Sequence, residues 1–152
     1  MAHVELSLSE VFVPSGGTPT EQEYDNIERW SATVSSADEP CLLIDSQTLV
    51  LAVSATGCEL LRLGVPEDVI GLPLLDGRLR LLDFTAYRGE LAVPEIDKIP
   101  PLLALTSGRL ARGLLRIEAA EEGSPDATVD AISTPVLVNG NVAGSLTFFS
   151  EV

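Results

Sequence analysis

Residues 40–45, Pro-Cys-Leu-Leu-Ile-Asp, are followed by Ser46-Gln47-Thr48 and then by Leu49-Val50-Leu51-Ala52-Val53, and the fold turns on this stretch. Two short apolar runs separated by a polar turn read as a β-hairpin. Both arms are almost entirely apolar, which predicts a hairpin in the middle of a sheet rather than at a wet edge.

The chain on either side supplies the covering elements. Ser54 or Thr56 suits the start of a helix, with Thr56 and Glu59 at capping-box spacing, Cys58 and Leu61 pointing inward, and Gly64 as a left-handed stop. Pro66-Glu67-Asp68-Val69-Ile70 reads as one helical turn with Pro at its first position, ended by Gly71. From Arg78 to Asp97 the pattern is poor. Pro100 and Pro101 open an apolar helix that reaches about Leu110. The last third is strand-like: Leu114–Glu118, then Thr128–Val138 with Pro135 at an irregular pairing position, then Val142–Phe149. Asn139-Gly140 is a strong hairpin turn signal, Gly144 marks a close approach of neighbouring atoms, and Phe148 and Phe149 face opposite sides.

Upstream of the hairpin, Val4 to Val13 alternates weakly through Val4, Leu6, Leu8, Val11 and Val13, as a short strand or an apolar arm. Residues 14–19, PSGGTP, interrupt it. Thr20 and Glu23 form a second capping-box pair, and Tyr24, Ile27, Trp30 and Val34 recur at helical spacing. This apolar stripe packs either on the helix's own sheet or on a second subunit, a dimer contact. The chain thus divides into an arm and linker (1–19), a flanking amphipathic helix (20–35) and a core domain (40–152). The order helix, β-β, short helices, helix, β-β-β specifies an α+β fold with an antiparallel sheet of five strands and helices over one face.

Composition narrows the function. The 152 residues carry 23 Asp and Glu against 9 Lys and Arg, a formal charge of −14 at pH 7. Such a chain repels phosphate backbones and anionic membranes, and its basic residues are scattered, so nucleic acid and membrane are excluded as partners. At 45% hydrophobic residues the chain can bury an ordinary core. The first ten residues lack the pattern of a signal peptide, and no stretch approaches the roughly 20 apolar residues of a membrane span. Cys41 and Cys58, both in apolar surroundings, suit reduced buried thiols and a cytoplasmic location. The single His, at position 3, leaves no His-based metal site and no base for a nucleophilic Ser or Cys. Gly16-Gly17 follows a Pro and lacks the Lys of a phosphate loop. Asp45 and Glu59 are explained as a turn residue and a capping partner, so no catalytic residues emerge.

At this point the sequence resembles a PAS domain, the sensory and interaction module of signalling proteins. The resemblance runs over roughly residues 20–152 and rests on 40–45, 49–53, Thr56-Gly-Cys-Glu-Leu-Leu-Arg-Leu-Gly64, Pro66-Glu-Asp-Val-Ile-Gly71 and Asn139-Gly-Asn-Val-Ala-Gly-Ser-Leu146. The Asn that usually leads the first short helix is replaced by Thr56. The resemblance implies strand order 2-1-5-4-3, helices over the inner face, and a flanking helix that often dimerises. It also implies a ligand space between helices and sheet, whose wall positions here are Cys58, Leu103, Leu115, Ile132 and Phe148. The abundant Leu, Val and Ile side chains equally fill such a space by packing alone, and a filled core is the default reading. Haem held by a His is excluded because the helix from Pro100 has none. A photoreceptive flavin is disfavoured because Thr56-Gly57-Cys58-Glu59 replaces the reactive Asn-Cys-Arg-Phe segment. No cofactor is therefore assigned.

The expected protein is a non-catalytic sensory or protein-interaction module of a bacterial signalling system, cytoplasmic and homodimeric, with a protein signalling partner and room for a small apolar ligand. The bacterial source is associational, from eight Arg to one Lys. The alternatives are a small-ligand carrier or small cone-like α+β enzyme, and a structural dimerisation subunit without ligand.

Overall fold

The computed structural model describes residues 21–75 and 78–152, with side chains from Asn26 onward. The arm, the linker, His3, the Thr20–Glu23 pair and the Tyr24 side chain lie outside the described residues. The chain runs α1 (Glu21–Ser36), β1 (Cys41–Asp45), β2 (Val50–Val53), α2 (Ala55–Leu61), α3 (Pro66–Val69), β3 (Leu81–Leu82), α4 (Val93–Ile96), α5 (Pro100–Ser107), β4 (Ala111–Ile117), β5 (Ala127–Val138) and β6 (Asn141–Glu151). All strand pairs are antiparallel, in the order β2-β1-β6-β5-β4-β3. The five expected strands keep their expected order. A sixth, β3, adds two residues at the far edge, too short for any periodicity to announce it.

The hairpin forms as read, with one correction. Asp45 Oδ1 accepts from the Gln47 N–H at 2.8 Å and the Leu49 N–H at 3.0 Å, which closes the polar turn. β1 is paired on both sides, but β2 is an edge strand. It is nonetheless buried because segment 71–74 seals its edge: the Val50 N–H donates to Leu72 O, Gly71 N–H to Val50 O, and Leu74 N–H to Thr48 O. That is why an edge strand tolerates an all-apolar sequence.

Helix ends also depart from expectation. Ser54, not Thr56, caps α2, its Oγ accepting from the Gly57 N–H at 3.0 Å. Thr56 lies inside the helix and donates to Asp38 O. The left-handed residue that ends α2 is Arg62, with Gly64 a further positive-φ position two residues on. α3 begins with Pro66 as expected, and α5 ends at Ser107 with left-handed Gly108 instead of reaching Leu110. At the β5–β6 turn both Asn139 and Gly140 have positive φ, as a two-residue primed turn demands. The irregular pairing expected at Pro135 falls one residue later, between Val136 and Leu137.

Strand parity divides the apolar residues into two cores. Leu42, Ile44, Leu115, Ile117, Val129, Ala131 and Phe149 meet Cys58, Leu61, Leu63, Ile99 and Leu102 under the helices of the inner face. Cys41, Leu43, Ala52, Val136 and Leu146 point the other way and meet α1 on the outer face. A sheet covered on both sides explains why β1 and β2 carry no polar alternation.

Candidate functional site: the two faces of the sheet

The inner face is packed. Where α5 crosses β4, β5 and β6, the sheet presents Ala111, Gly113, Ala131, Ser133, Ser145 and Thr147, and the helix settles onto them. A β-carbon at Gly113 would stand 3.4 Å from Pro100 Cγ. The polar groups in this layer satisfy one another: Ser133 Oγ and Thr147 Oγ1 are 2.6 Å apart, and Ser145 Oγ donates to Pro101 O at 2.9 Å. All three hydroxyl side chains are fully buried. Their partners are protein atoms, so none is left aimed at an absent ligand. A hollow lined by Val50, Leu63, Val69, Leu72, Pro73, Leu74 and Arg78 measures about 10 Å³, at most the room of one water molecule.

The expected pocket wall is therefore dispersed. Cys58 and Leu115 are buried on the inner side. Leu103 is 38% exposed on the solvent side of α5. Ile132 and Phe148, directly opposite each other in the β5–β6 pairing, lie on the outer face at 36% and 41% exposure. The correction follows from register: Ala131, Ser133, Thr147 and Phe149 take the inward positions, so their neighbours must point outward. Apolar residues at both parities hid this from sequence inspection.

Cys41 and Cys58 are free and buried on opposite sides of the sheet. Burial pushes both thiols up from their ordinary range. Glu39 adds to the effect at Cys41, against a lowering hydrogen bond from Ser54, and Glu67 with Asp68 adds to it at Cys58. Burial thus disfavours the thiolate at both positions.

A shallow open hollow of about 690 Å³ lies at the β4–β5 connection, lined by Arg88, Arg116, Glu118, Glu121, Glu122 and Asp126 among others. Arg88, Arg116 and Asp126 are engaged in a clasp. Arg88 meets Asp126 through two bonds of 2.6 and 2.8 Å, Arg116 approaches the same carboxylate at 3.3 Å, and the Ala119 N–H donates to it. Arg116 also donates to Asp83 O and Thr85 O, tying segment 83–89 to β4. The Arg88 hydrogen bonds, with the Ala119 N–H, hold the Asp126 carboxyl well below the usual carboxylate range. A depressed carboxylate contributes stability above its unfolded pKa of about 4 and loses it as pH falls through the folded value. The clasp should accordingly stay closed across the neutral and mildly acid range. Asp126→Asn should open it at neutral pH, read as faster tryptic cleavage at Arg88.

Among the described residues the outer face is only partly covered. Val34 is 1% exposed, and with Ile27 and Trp30 it packs on Cys41, Leu43, Ala52, Val136 and Leu146. The Cys41 thiol lies 3.9 Å from Val34 O. Within the one chain these three residues pack on the helix's own sheet. Asn26, Glu28, Arg29 and Thr33 face solvent, leaving the helix's free side polar. Beyond α1 the sheet presents Phe148, Ile132 and Leu114, the last 53% exposed and one diagonal step from Ile132. Arg112 and Asp130, joined by bonds of 3.1 and 2.6 Å, stand on the same face. Sequence reasoning missed this stripe, although alternation of Asp130 with Ala131 and of Arg112 with Gly113 marked its parity.

No family model matches the sequence, and no curated protein resembles it at the sequence level. Solved structures do resemble it in fold. A PAS domain of a protein from Colwellia psychrerythraea superposes with a TM-score of 0.56 at 13% identity, covering 84% of this chain and 98% of that one. The Rhodobacter sphaeroides LOV protein gives 0.56 at 16% identity, covering 87% and 68%. The Vibrio cholerae VqmA receptor gives 0.56 at 16%, covering 83% and 51%, so this chain spans about half of it. Together with the strand order, the flanking helix on the outer face and the helices across the inner one, these likenesses show that the chain has a PAS-like fold.

Proposed function

We propose that this domain is a non-catalytic sensory or protein-interaction module of a bacterial signalling system, working from the cytoplasm through the outer face of its sheet. The observation that carries this is the division of that face: α1 is docked over one part of it, and the described residues leave an apolar stripe beside the helix uncovered. Among the described residues no helix is long and apolar enough to cross a membrane, which fits the location. A partner protein, or a second copy of the chain, that contacts the stripe and α1 together can bias how the helix sits. The bias requires different contacts in the two positions of the helix.

The packed interior favours an interaction unit over a carrier of small apolar ligands. It also favours, as second reading, a structural dimerisation subunit without ligand. Native mass spectrometry with a visible absorbance spectrum tests both. The expected result is a polypeptide of unmodified subunit mass, without chromophore, in a dimer or partner complex that Ile132→Asp weakens. A small molecule retained one per chain would overturn the interaction reading in favour of a carrier.

A further inference from the structure

We infer that the loop from Asp83 to Gly89, with the open hollow beside it, docks a basic and partly apolar segment of a partner protein. The loop is closed from within. The Asp83 N–H donates to Gly89 O at 2.8 Å, and Asp83 Oδ1 accepts from the Thr85 N–H, the Thr85 hydroxyl and the Gly89 N–H at 3.0, 2.6 and 3.2 Å. The Arg88 N–H returns to Thr85 O at 3.2 Å, which places Ala86 and Tyr87 at the tip of a tight turn. Arg88 follows with a φ of +51°, a left-handed position that costs energy for any residue with a β-carbon. The clasp of Arg88, Arg116 and Asp126 then ties the turn to the sheet. A loop held at so many points cannot fold its aromatic side chains away: Tyr87 is 93% exposed and Phe84 57%. Tyr and Phe are enriched where partners meet, and a loop ordered in advance spares the partner the cost of ordering it.

Charge selects the occupant. The hollow beside the turn is lined by two guanidiniums against four carboxylates, a net of −2. Arg88 and Arg116 are engaged by Asp126, and Glu118 by Arg80 at 3.4 Å. Glu121 and Glu122 are exposed and have no ion-pair partner among the described residues. An Arg or Lys side chain suits both parts of this surface. Its charge meets the two unpaired carboxylates, and its head or aliphatic stem can lie against the tyrosine ring. The −14 charge of the whole chain attracts such a partner and repels one that carries phosphates. Arg116 has the strand parity of Leu114, so the surface adjoins the outer face at its β3 margin. It does not need the stripe, and it can fail while the proposed function stands.

The test is binding of a fluorescein-labelled peptide of Leu and Arg, read by fluorescence anisotropy beside equal-length peptides of Leu with Glu and Leu with Gln. The expected result is that only the Arg peptide binds, and less tightly as salt rises. Tyr87→Ser, at a side chain too exposed to affect folding, should weaken that binding about tenfold, and Phe84→Ser should act in the same direction. Glu121→Gln with Glu122→Gln should weaken it more than Glu28→Gln with Glu151→Gln, which removes as much charge from exposed positions elsewhere. Equal affinity of Tyr87→Ser and the parent chain would overturn the inference, because net charge alone would then account for binding. So would the absence of binding, or weakening by Ile132→Ser with none by Tyr87→Ser, which would move the peptide to the outer-face stripe. Co-sedimentation with phosphatidylcholine vesicles that Tyr87→Ser abolishes would also overturn it, by making the loop a membrane contact.

Discussion

Gly144→Ala should destabilise the domain by roughly 3–5 kcal/mol, the largest effect expected of a single methyl group anywhere in the sheet. Gly144 lies opposite Asp45 where β6 pairs with β1, and a β-carbon there would run into the carbonyl oxygen of Ile44. The obstruction is backbone, not the yielding end of a side chain. Relief would require β1 and β6 to separate, at the pairing that joins the hairpin to the rest of the sheet. Gly140→Ala provides the contrast. Its φ is +81° and nothing lies near the added carbon, so only the left-handed conformation is strained, at about 1–2 kcal/mol. Urea denaturation of both variants checks the ranking. A Gly144→Ala loss no larger than that of Gly140→Ala would mean that the strands are not as closely paired as described.

The second large effect concerns α1. Val34 is 1% exposed against Cys41 and Leu43, and Val34→Asp would place a carboxylate there without a partner. The expected loss is about 3 kcal/mol, borne by the docking of α1 and not by the sheet. Trp30, the only tryptophan, packs in the same layer, so its emission should shift to the red as the helix leaves. Hydrogen exchange should then show α1 unprotected while β5 and β6 remain protected, because the inner core does not include this helix. Simultaneous loss of protection in α1 and the strands would show one cooperative unit. A helix that cannot move without unfolding the sheet cannot carry a signal as a change in its packing, so the mechanism proposed here would fail with it.

Much of the architecture was legible because it depends on local chemistry. The Asp45–Thr48 turn, the Asn139–Gly140 turn, the prolines that open α3 and α5 and the close approach at Gly144 are each set by a few residues and their conformational limits. Capping was harder, since Ser54 and Thr56 both satisfy the local rule. Ser54 caps α2 because its hydroxyl also lies at the start of β1, where it receives the Cys41 N–H and donates to Glu39 O. The site was read less well. Pocket positions were chosen by apolarity, and on strands apolar at both parities that criterion does not say which side chain faces in. Ile132 and Phe148 lie on the outer face, while Leu115 and Cys58 lie under the helices of the inner one.

Composition and local pattern determined by themselves the class of the fold and the net negative charge of the chain, while the order of the principal strands came from the resemblance to PAS domains. The first two are properties of residues and of neighbours within a turn or a short run. Only the tertiary structure decided that α5 settles directly onto β4, β5 and β6, that Ile27, Trp30 and Val34 of α1 pack on the sheet of their own chain, and that the described residues leave an apolar stripe beside that helix. These follow from how small side chains on β4, β5 and β6 let α5 descend, and from a register in which one residue's shift would exchange the two faces. Neither is a property of any segment taken alone.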